Sequence, residues 1–334
     1  MMRLLSSWLL TVLLSSLWFF SPLALAQQAS SATEKALGAD RFTIVAPFPP
    51  GGPVDVLSRL LGEGLQRIYA QSAVVENLPG AQGNLGMDKV KKAKPDGHTL
   101  LVIPAGNLTI NPSLMKNFPF QVERDFAPIT MIAKAPNVLV AGQQSTIKNV
   151  KELIELAKSK PNTLAYASPG IGSGLHLAGE LFKQQAGVDL LHVPYKGTGP
   201  ALNDVLGGTV PLMFSNLPAT LPHIRSGKLV ALGITDTSRS QVAPDLPTLQ
   251  EQGVSGVVVT SWYGLLAPFG TPVQTVNQLA KDTQTIFSSP KILEQLKAQG
   301  LSEVLQKPDE FSAYIAQETQ TWAKIIRAKR IEAE

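Results

Sequence analysis

The 334-residue chain has no cysteine, only four histidines, and a charged fraction of just 16%. Without cysteine it can form no disulfide staple and offers no thiol nucleophile, so its stability rests on burial of an apolar core. Lys and Arg number 29 against 25 Asp and Glu, a net charge of +4, and they are scattered among acids. That pattern excludes a nucleic-acid footprint. His98, His192 and His223 have no metal-ligand spacing, and neither a metal nor a cofactor is expected. Also missing are a G-x-S-x-G elbow, an H-E-x-x-H helix and a Walker A loop, which shifts weight from catalysis toward binding. After the first twenty residues, no apolar run is long enough to span a membrane.

What is present begins with a leader. Met1-Met2-Arg3 opens the chain, an apolar run follows from Leu4 to Phe20, and Pro22 precedes the small-residue site Ala24-Leu25-Ala26. Residues 1–26 therefore read as a cleaved signal peptide, with a mature start near Gln27 and a periplasmic destination. The alternative, an uncleaved anchor, fits less well, because the run falls short of the roughly 20 residues a spanning helix needs. Loss of Arg3 takes the net charge from +4 to +3. Residues 27–39 read as a polar linker.

The remaining chain, about 300 residues, exceeds one ordinary core and predicts two lobes. Short β-branched runs lead through Gly/Pro loops into amphipathic helices, which is an α/β pattern of mainly parallel strands with covering helices. Phe42–Ala46 reads as a buried strand. The following helix places Leu57, Leu60, Leu61, Leu65 and Ile68 on one face and Arg59, Glu63 and Gln66 on the other. From about Pro136 the cycle restarts. Three late helices, with Leu279, Ile286, Leu293, Leu296, Phe311, Ile315, Trp322 and Ile325 at apolar positions, are expected to cover the first lobe. The division is thus 40–132 plus 257–334 for lobe 1 and 133–256 for lobe 2. Two crossings between lobes make a hinge.

Ligands of open α/β sheets sit beyond the carboxyl ends of strands, so the loops there carry the chemistry. PFPPGGPVDV offers glycines, a preorganised Pro53 and Asp55 at a helix start, where exposed peptide N–H groups and the helix dipole attract an anionic oxygen. A loop shaped only for packing is the competing reading. ASPGIGSGLHLAGELF repeats the arrangement in the second lobe; Ser168 and Ser173 either hold a carboxylate or cap the helix. Its glycine spacing does not fit the dinucleotide fingerprint. Lys196 pairs with a ligand carboxylate or is merely solvated. His176, in a first helical turn, is expected to stay neutral and to pack or hydrogen-bond.

These segments, together with ENLPGAQGNLG, KPDGHTLL, INPSL, DFAPIT, HVPYKGTGPALNDVLGG, MFSNLPATLPHIRSGKLVALGIT and SWYGLLAP, resemble the Bug proteins, the extracytoplasmic solute receptors of tripartite tricarboxylate transporters. The resemblance covers nearly all of the mature chain. It implies a two-lobed Venus-flytrap fold of the type II periplasmic binding-protein kind, with mixed, mainly parallel sheets and flanking helices, closing as a monomer around a small carboxylate. It also implies inner-membrane permease subunits as partners. Carried over by motif, first-lobe contacts fall on Phe48, Gly51, Gly52, Asp55, Ala105, Gly106 and Asn107. Second-lobe contacts fall on Ser168, Gly170, Gly172, Ser173, His176, Lys196, Gly197 and Asn216. The chain departs from the pattern at Val54, where relatives carry a hydroxyl, and at Ser215, where many carry an acid. Loss of that acid is expected to make the pocket more tolerant of a second ligand carboxylate, or less able to hold an amine. Two other functions fit the sequence: a ligand-sensing module for a periplasmic-facing kinase and, more remotely, a secreted hydrolase working through Ser168 or Ser173.

Overall fold

The computed structural model describes residues 37, 38 and 40–332; the expected leader and all but two residues of the linker lie outside these. Two mixed sheets with flanking helices make up the fold. The first has strand order β11 (Ser302–Glu303), β4 (Phe126–Ala135), β10 (Ser261–Pro268), β3 (Thr99–Pro104), β1 (Phe42–Ala46), β2 (Ala73–Asn77). The second runs β7 (Leu191–Pro194), β6 (Ala165–Ser168), β8 (Leu212–Asn216), β5 (Asn137–Gly142), β9 (Leu229–Ile234).

Parallel pairing is confined to β1 with β2 and β3, and to β6 with β7 and β8. Strands β10, β4, β5 and β9 pair antiparallel, so the sheets are more evenly mixed than the strand-loop-helix rhythm suggests. The reason is connectivity. The long strands β4 and β10 carry the chain to and from the second sheet, and they lie side by side in opposite directions.

Local sequence explains the elements that build the ligand-facing edge. FTIVA of β1 is buried almost throughout and continues into Pro47 and the glycines that start helix α1 (Pro53–Tyr69). Proline at the first helical turn sacrifices no hydrogen bond, since that N–H has no intrahelical acceptor anyway. Leu57, Leu60, Leu61 and Leu65 of α1 enter the core, but Ile68 is 43% exposed. The final turn instead directs Tyr69 inward, onto the Phe42 ring at 5.4 Å and the Asp282 carboxylate at 2.5 Å. The next helices in chain order are α2 (Asn84–Lys91), α3 (Ala105–Thr109), α4 (Asn111–Leu114), α5 (Val122–Asp125), α6 (Val150–Ser159), α7 (Gly174–Ala186), α8 (Thr198–Leu206) and α9 (Leu217–Arg225). Helices α10 (Val273–Phe287), α11 (Pro290–Ala298) and α12 (Pro308–Lys329) close the chain.

The late helices cover the first sheet only in part. Leu279, Ile286 and Leu296 join its core, and Phe311 and Ile315 pack on its other face. Trp322 and Ile325 instead join the second sheet's core, together with Ile110 and Leu114 from the α3–α4 segment. A helix of 22 residues is about 33 Å long, enough to reach from one sheet to the other.

The chain passes between sheets at Pro136 and again between β9 and β10. Asn137 ties the two passages together: its Nδ2 donates to the Val259 carbonyl at 2.8 Å, and its Oδ1 accepts from Ser261 Oγ at 2.8 Å and Asn216 Nδ2 at 2.9 Å. Among the described residues no helix is long and apolar enough to cross a membrane.

Candidate functional site

A cavity of about 430 Å³ lies between the two sheets. Its walls are the loops that follow β1, β2 and β3 on one side and β6, β7 and β8 on the other, with Val259, Thr260 and Ser261 of the second passage between them. Of the residues singled out from sequence, Phe48, Gly52, Ala105, Gly106, Asn107, Gly170, Gly172, Ser173, Lys196, Gly197 and Asn216 line it. Gly51, Asp55, Ser168 and His176 are absent from the lining and stand behind it.

Those four support the walls. Asp55 does not cap its own helix; it accepts from Gly51 N at 3.2 Å, Asn77 Nδ2 at 3.0 Å and the Arg59 guanidinium at 2.9 Å. Burial pushes the Asp55 carboxyl up, but the hydrogen bonds from Arg59, Asn77 and Gly51 outweigh it and hold the group below the ordinary range. Since Asn77 also donates to the Phe48 carbonyl at 3.1 Å, one carboxylate braces the whole β1–α1 loop.

Behind the β6–α7 loop, Ser168 Oγ meets His192 Nε2 at 2.7 Å, and His192 stacks between Tyr166 and His176 with ring centroids 4.9 and 4.3 Å away. Gly172 N donates to His176 Nδ1 at 3.3 Å, so the imidazole holds the loop as a neutral acceptor. Burial, reinforced by Lys183, lowers the His176 pKa to about 4. Burial, then His176, lowers that of His192 to about 3, against a smaller opposing pull from Glu180. Both rings are thus neutral, and each packs and hydrogen-bonds to the loop or its strand. Ser173 caps α7, accepting from His176 N at 3.1 Å, and its hydroxyl donates to the Gly170 carbonyl at 2.7 Å. Both serine hydroxyls are spent inside the protein.

Helices α1 and α8 differ from α7 in having no side-chain cap. Their N-caps, Gly52 and Gly197, belong to different sheets and both line the cavity. The two loops nearly touch, since a Cβ on Gly197 would stand 3.1 Å from Pro49 Cδ. Two first turns with unsatisfied N–H groups therefore face one space from opposite sides, an arrangement suited to an anionic oxygen. A second close approach seals the cavity: a Cβ on Gly106 of α3 would lie 2.5 Å from the Gly172 carbonyl oxygen. Gly172, at φ 76°, likewise leaves no room, because a Cβ there would run into Asn111 Oδ1.

Ser215 is fully buried in β8 and does not line the cavity, so the expected charge effect of that position on the pocket does not arise directly. Among the lining residues missed by sequence reasoning are Gln82, Asn111, Tyr263, Glu318 and Trp322. The turn through Gly80 and Gly83 was a signal for Gln82, since it follows a strand like the other loops. Nothing in the sequence pointed to Glu318, which is one polar position on a long helix. Burial raises the Glu318 pKa against hydrogen bonds led by Trp262 Nε1, at 2.7 Å. Glu318 and the exposed Lys196 carry the formal charges of the lining.

Paired α/β sheets and a cavity at their strand ends, walled mainly by uncharged loop residues, define a solute-binding protein. The chain belongs to the tripartite tricarboxylate transporter family receptors, whose family model matches residues 57–331. It is 38% identical over 285 residues to protein BugT of Bordetella pertussis, covering 85% of this chain and 87% of that protein. Among solved structures it is similar to the periplasmic binding protein BugD, with 35% identity, a TM-score of 0.83 and coverage of 89% of this chain and 99% of that one. It is also similar to Rpa4515 of R. palustris solved with adipate, at 32% identity and TM-score 0.85, covering 88% of this chain and 98% of the other. The family is one of receptors, and the chain is a solute receptor rather than an enzyme.

Proposed function

We propose that this receptor works in the periplasm, captures a small carboxylate in the cavity between its two sheets and hands it to membrane-embedded permease subunits. The observation that carries this reading is the pair of uncapped helix starts, Gly52 of α1 and Gly197 of α8, one from each sheet and both facing the same space. Peptide N–H groups there recognise oxygens without activating anything. The adipate held by Rpa4515 is a carboxylate of the expected kind.

In this reading residues 40–132 with 257–334 move as one lobe and 133–256 as the other, and Pro136–Asn137 and Val259–Ser261 form the hinge. Gly52, Gly106, Gly172, Gly197 and Asn216 contact the solute, while Asp55, Ser168 and His176 hold the contacting loops in place. Binding drives closure because donors on both lobes reach the ligand together only when the lobes meet. A thermal-shift screen against mono-, di- and tricarboxylates tests the proposal. At ligand concentrations of about 100 times Kd, stabilisation of roughly 2.7 kcal/mol is expected, a shift of several degrees. A panel in which amines and neutral sugars stabilise the protein and no carboxylate does would overturn it.

A further inference from the structure

We infer that His192 is a positioning residue for the binding wall: its Nε2–H fixes the Ser168 hydroxyl, and through it the Gly170 peptide that lines the cavity. This role rests on the receptor reading above and deepens it.

His192 sits on β7, is 5% exposed and is absent from the cavity lining, so it acts from behind the wall. Its ring carries a feature that is costly in an interior. Nδ1 is shut off from solvent and has no hydrogen-bond partner among the described residues. Buried polar groups are normally paired, and one left unpaired is destabilising. Phenylalanine would fill the same place in the stack, between the Tyr166 and His176 rings inclined to it by 23° and 18°, with no orphaned nitrogen. What imidazole adds over a hydrocarbon ring is Nε2, 2.7 Å from Ser168 Oγ.

The proton of the neutral ring belongs on Nε2. Placed on Nδ1 it would leave a buried N–H with no acceptor, which native interiors avoid more strictly than a bare acceptor. With Nε2 donating, every bonding direction of the serine hydroxyl is used. It accepts from His192 and from Gly170 N at 3.2 Å, and it donates to the Gly170 carbonyl at 3.3 Å. Both polar groups of Gly170 are thereby tied to the end of β6. Gly170 needs that tie, because its φ of 145° is a conformation only glycine adopts freely and it has no side chain to anchor it. The same His192 ring backs His176, whose Nδ1 accepts from Gly172 N. Strand β7 then leads into the loop before α8, where Tyr195 N donates to the Ser168 carbonyl at 3.0 Å. Two loops of the second sheet's wall thus meet at Ser168 and His192. A wall already held in its binding geometry has less to order when the solute arrives, which raises affinity.

Three variants of the whole receptor separate this role from packing. His192→Phe keeps a flat ring in the stack and deletes the donor. His192→Gln gives up the stack but returns an amide N–H near the place of Nε2, and Ser168→Ala removes the relay. Hydrogen exchange at the Gly170 and Gly172 amides, read without ligand, is compared with melting temperature and with calorimetric affinity for adipate. In His192→Phe exchange should quicken about tenfold and adipate binding weaken about tenfold, with melting temperature unchanged or raised. Ser168→Ala, the smaller change, should reproduce the faster exchange and weaker binding, and adding His192→Phe to it should cost less than about twofold more. His192→Gln should recover much of both while melting at a lower temperature. Nitrogen-15 spectra of the native ring should show the proton on Nε2. Native exchange and affinity in His192→Phe, affinity that merely follows melting temperature across the variants, full additivity with Ser168→Ala, or a proton on Nδ1 each overturn the positioning role and leave the receptor reading standing. Should the native protein bind neither adipate nor any other acid of the thermal-shift panel, the receptor reading falls, and exchange alone still decides whether His192 holds the loop.

Discussion

His176 and His192 show how single residues set the behaviour of the binding loops without touching a ligand. Both rings are buried and neutral, stacked at 4.3 Å, with pKa values lowered from 6.5 to about 4 and about 3. In the unfolded chain they take up protons below pH 6.5; in the folded chain they do not. Stability is therefore complete above pH 6.5 and declines as the pH falls toward 4, by on the order of 3 kcal/mol for His176 alone. Denaturant midpoints measured at pH 7 and pH 5 should show the first part of this loss, about 2 kcal/mol for His176, and His176→Gln should show a smaller one. Equal pH dependence in the two proteins would count against the assignment. The neutrality of His176 was legible from its place in a first helical turn. The stack with His192 was not, because those residues meet only when β6 pairs with β7, which sets Tyr166 opposite His192.

At the scale of elements, the helix starts of α1, α7 and α8 all reach the cavity and are not equivalent. Helix α7 spends its terminus on Ser173, whereas α1 and α8 remain open. Sequence placed a glycine-rich loop before each helix correctly, because Gly and Pro punctuate the chain locally. It could not tell a capped start from an open one, since that depends on the side chain's final rotamer. The close approach of α3 and α4 to the β6–α7 loop is another element-level feature. Gly172→Leu should abolish ligand binding, because the side chain would collide with Asn111 and require a strained φ of 76°. Far-UV circular dichroism should nevertheless be unchanged, since Gly172 lies outside the helices and strands. Calorimetric affinity within about twofold of the native value would show that the loops do not meet around the solute.

At the scale of the whole molecule, two sheets face each other across the cavity. In the structure the halves touch at Gly106 with Gly172 and at Gly197 with Pro49, which is a closed arrangement. Asn137, Asn216 and Ser261 lock the two passages side by side, and the lobe closure proposed above is expected to pivot there. Helix α12 packs its first half on one sheet and Trp322 on the other core, which joins the two sheets a second time. Small-angle scattering should show the radius of gyration falling when the tightest acid of the panel is added, and Asn137→Ala should blunt that change. An unchanged radius with saturating ligand would argue for a rigid receptor.

By itself the sequence determined the α/β class, the strand and loop positions, the glycine-bearing walls and the family, because each follows from local periodicity, turn chemistry or motif order. Through the motifs of the family resemblance it also named eleven of the residues that line the cavity. Tertiary structure alone decided which loops face one another and that Asp55, Ser168 and His176 stand one layer back. Those facts depend on distances between residues far apart in the chain, which packing fixes and periodicity does not encode.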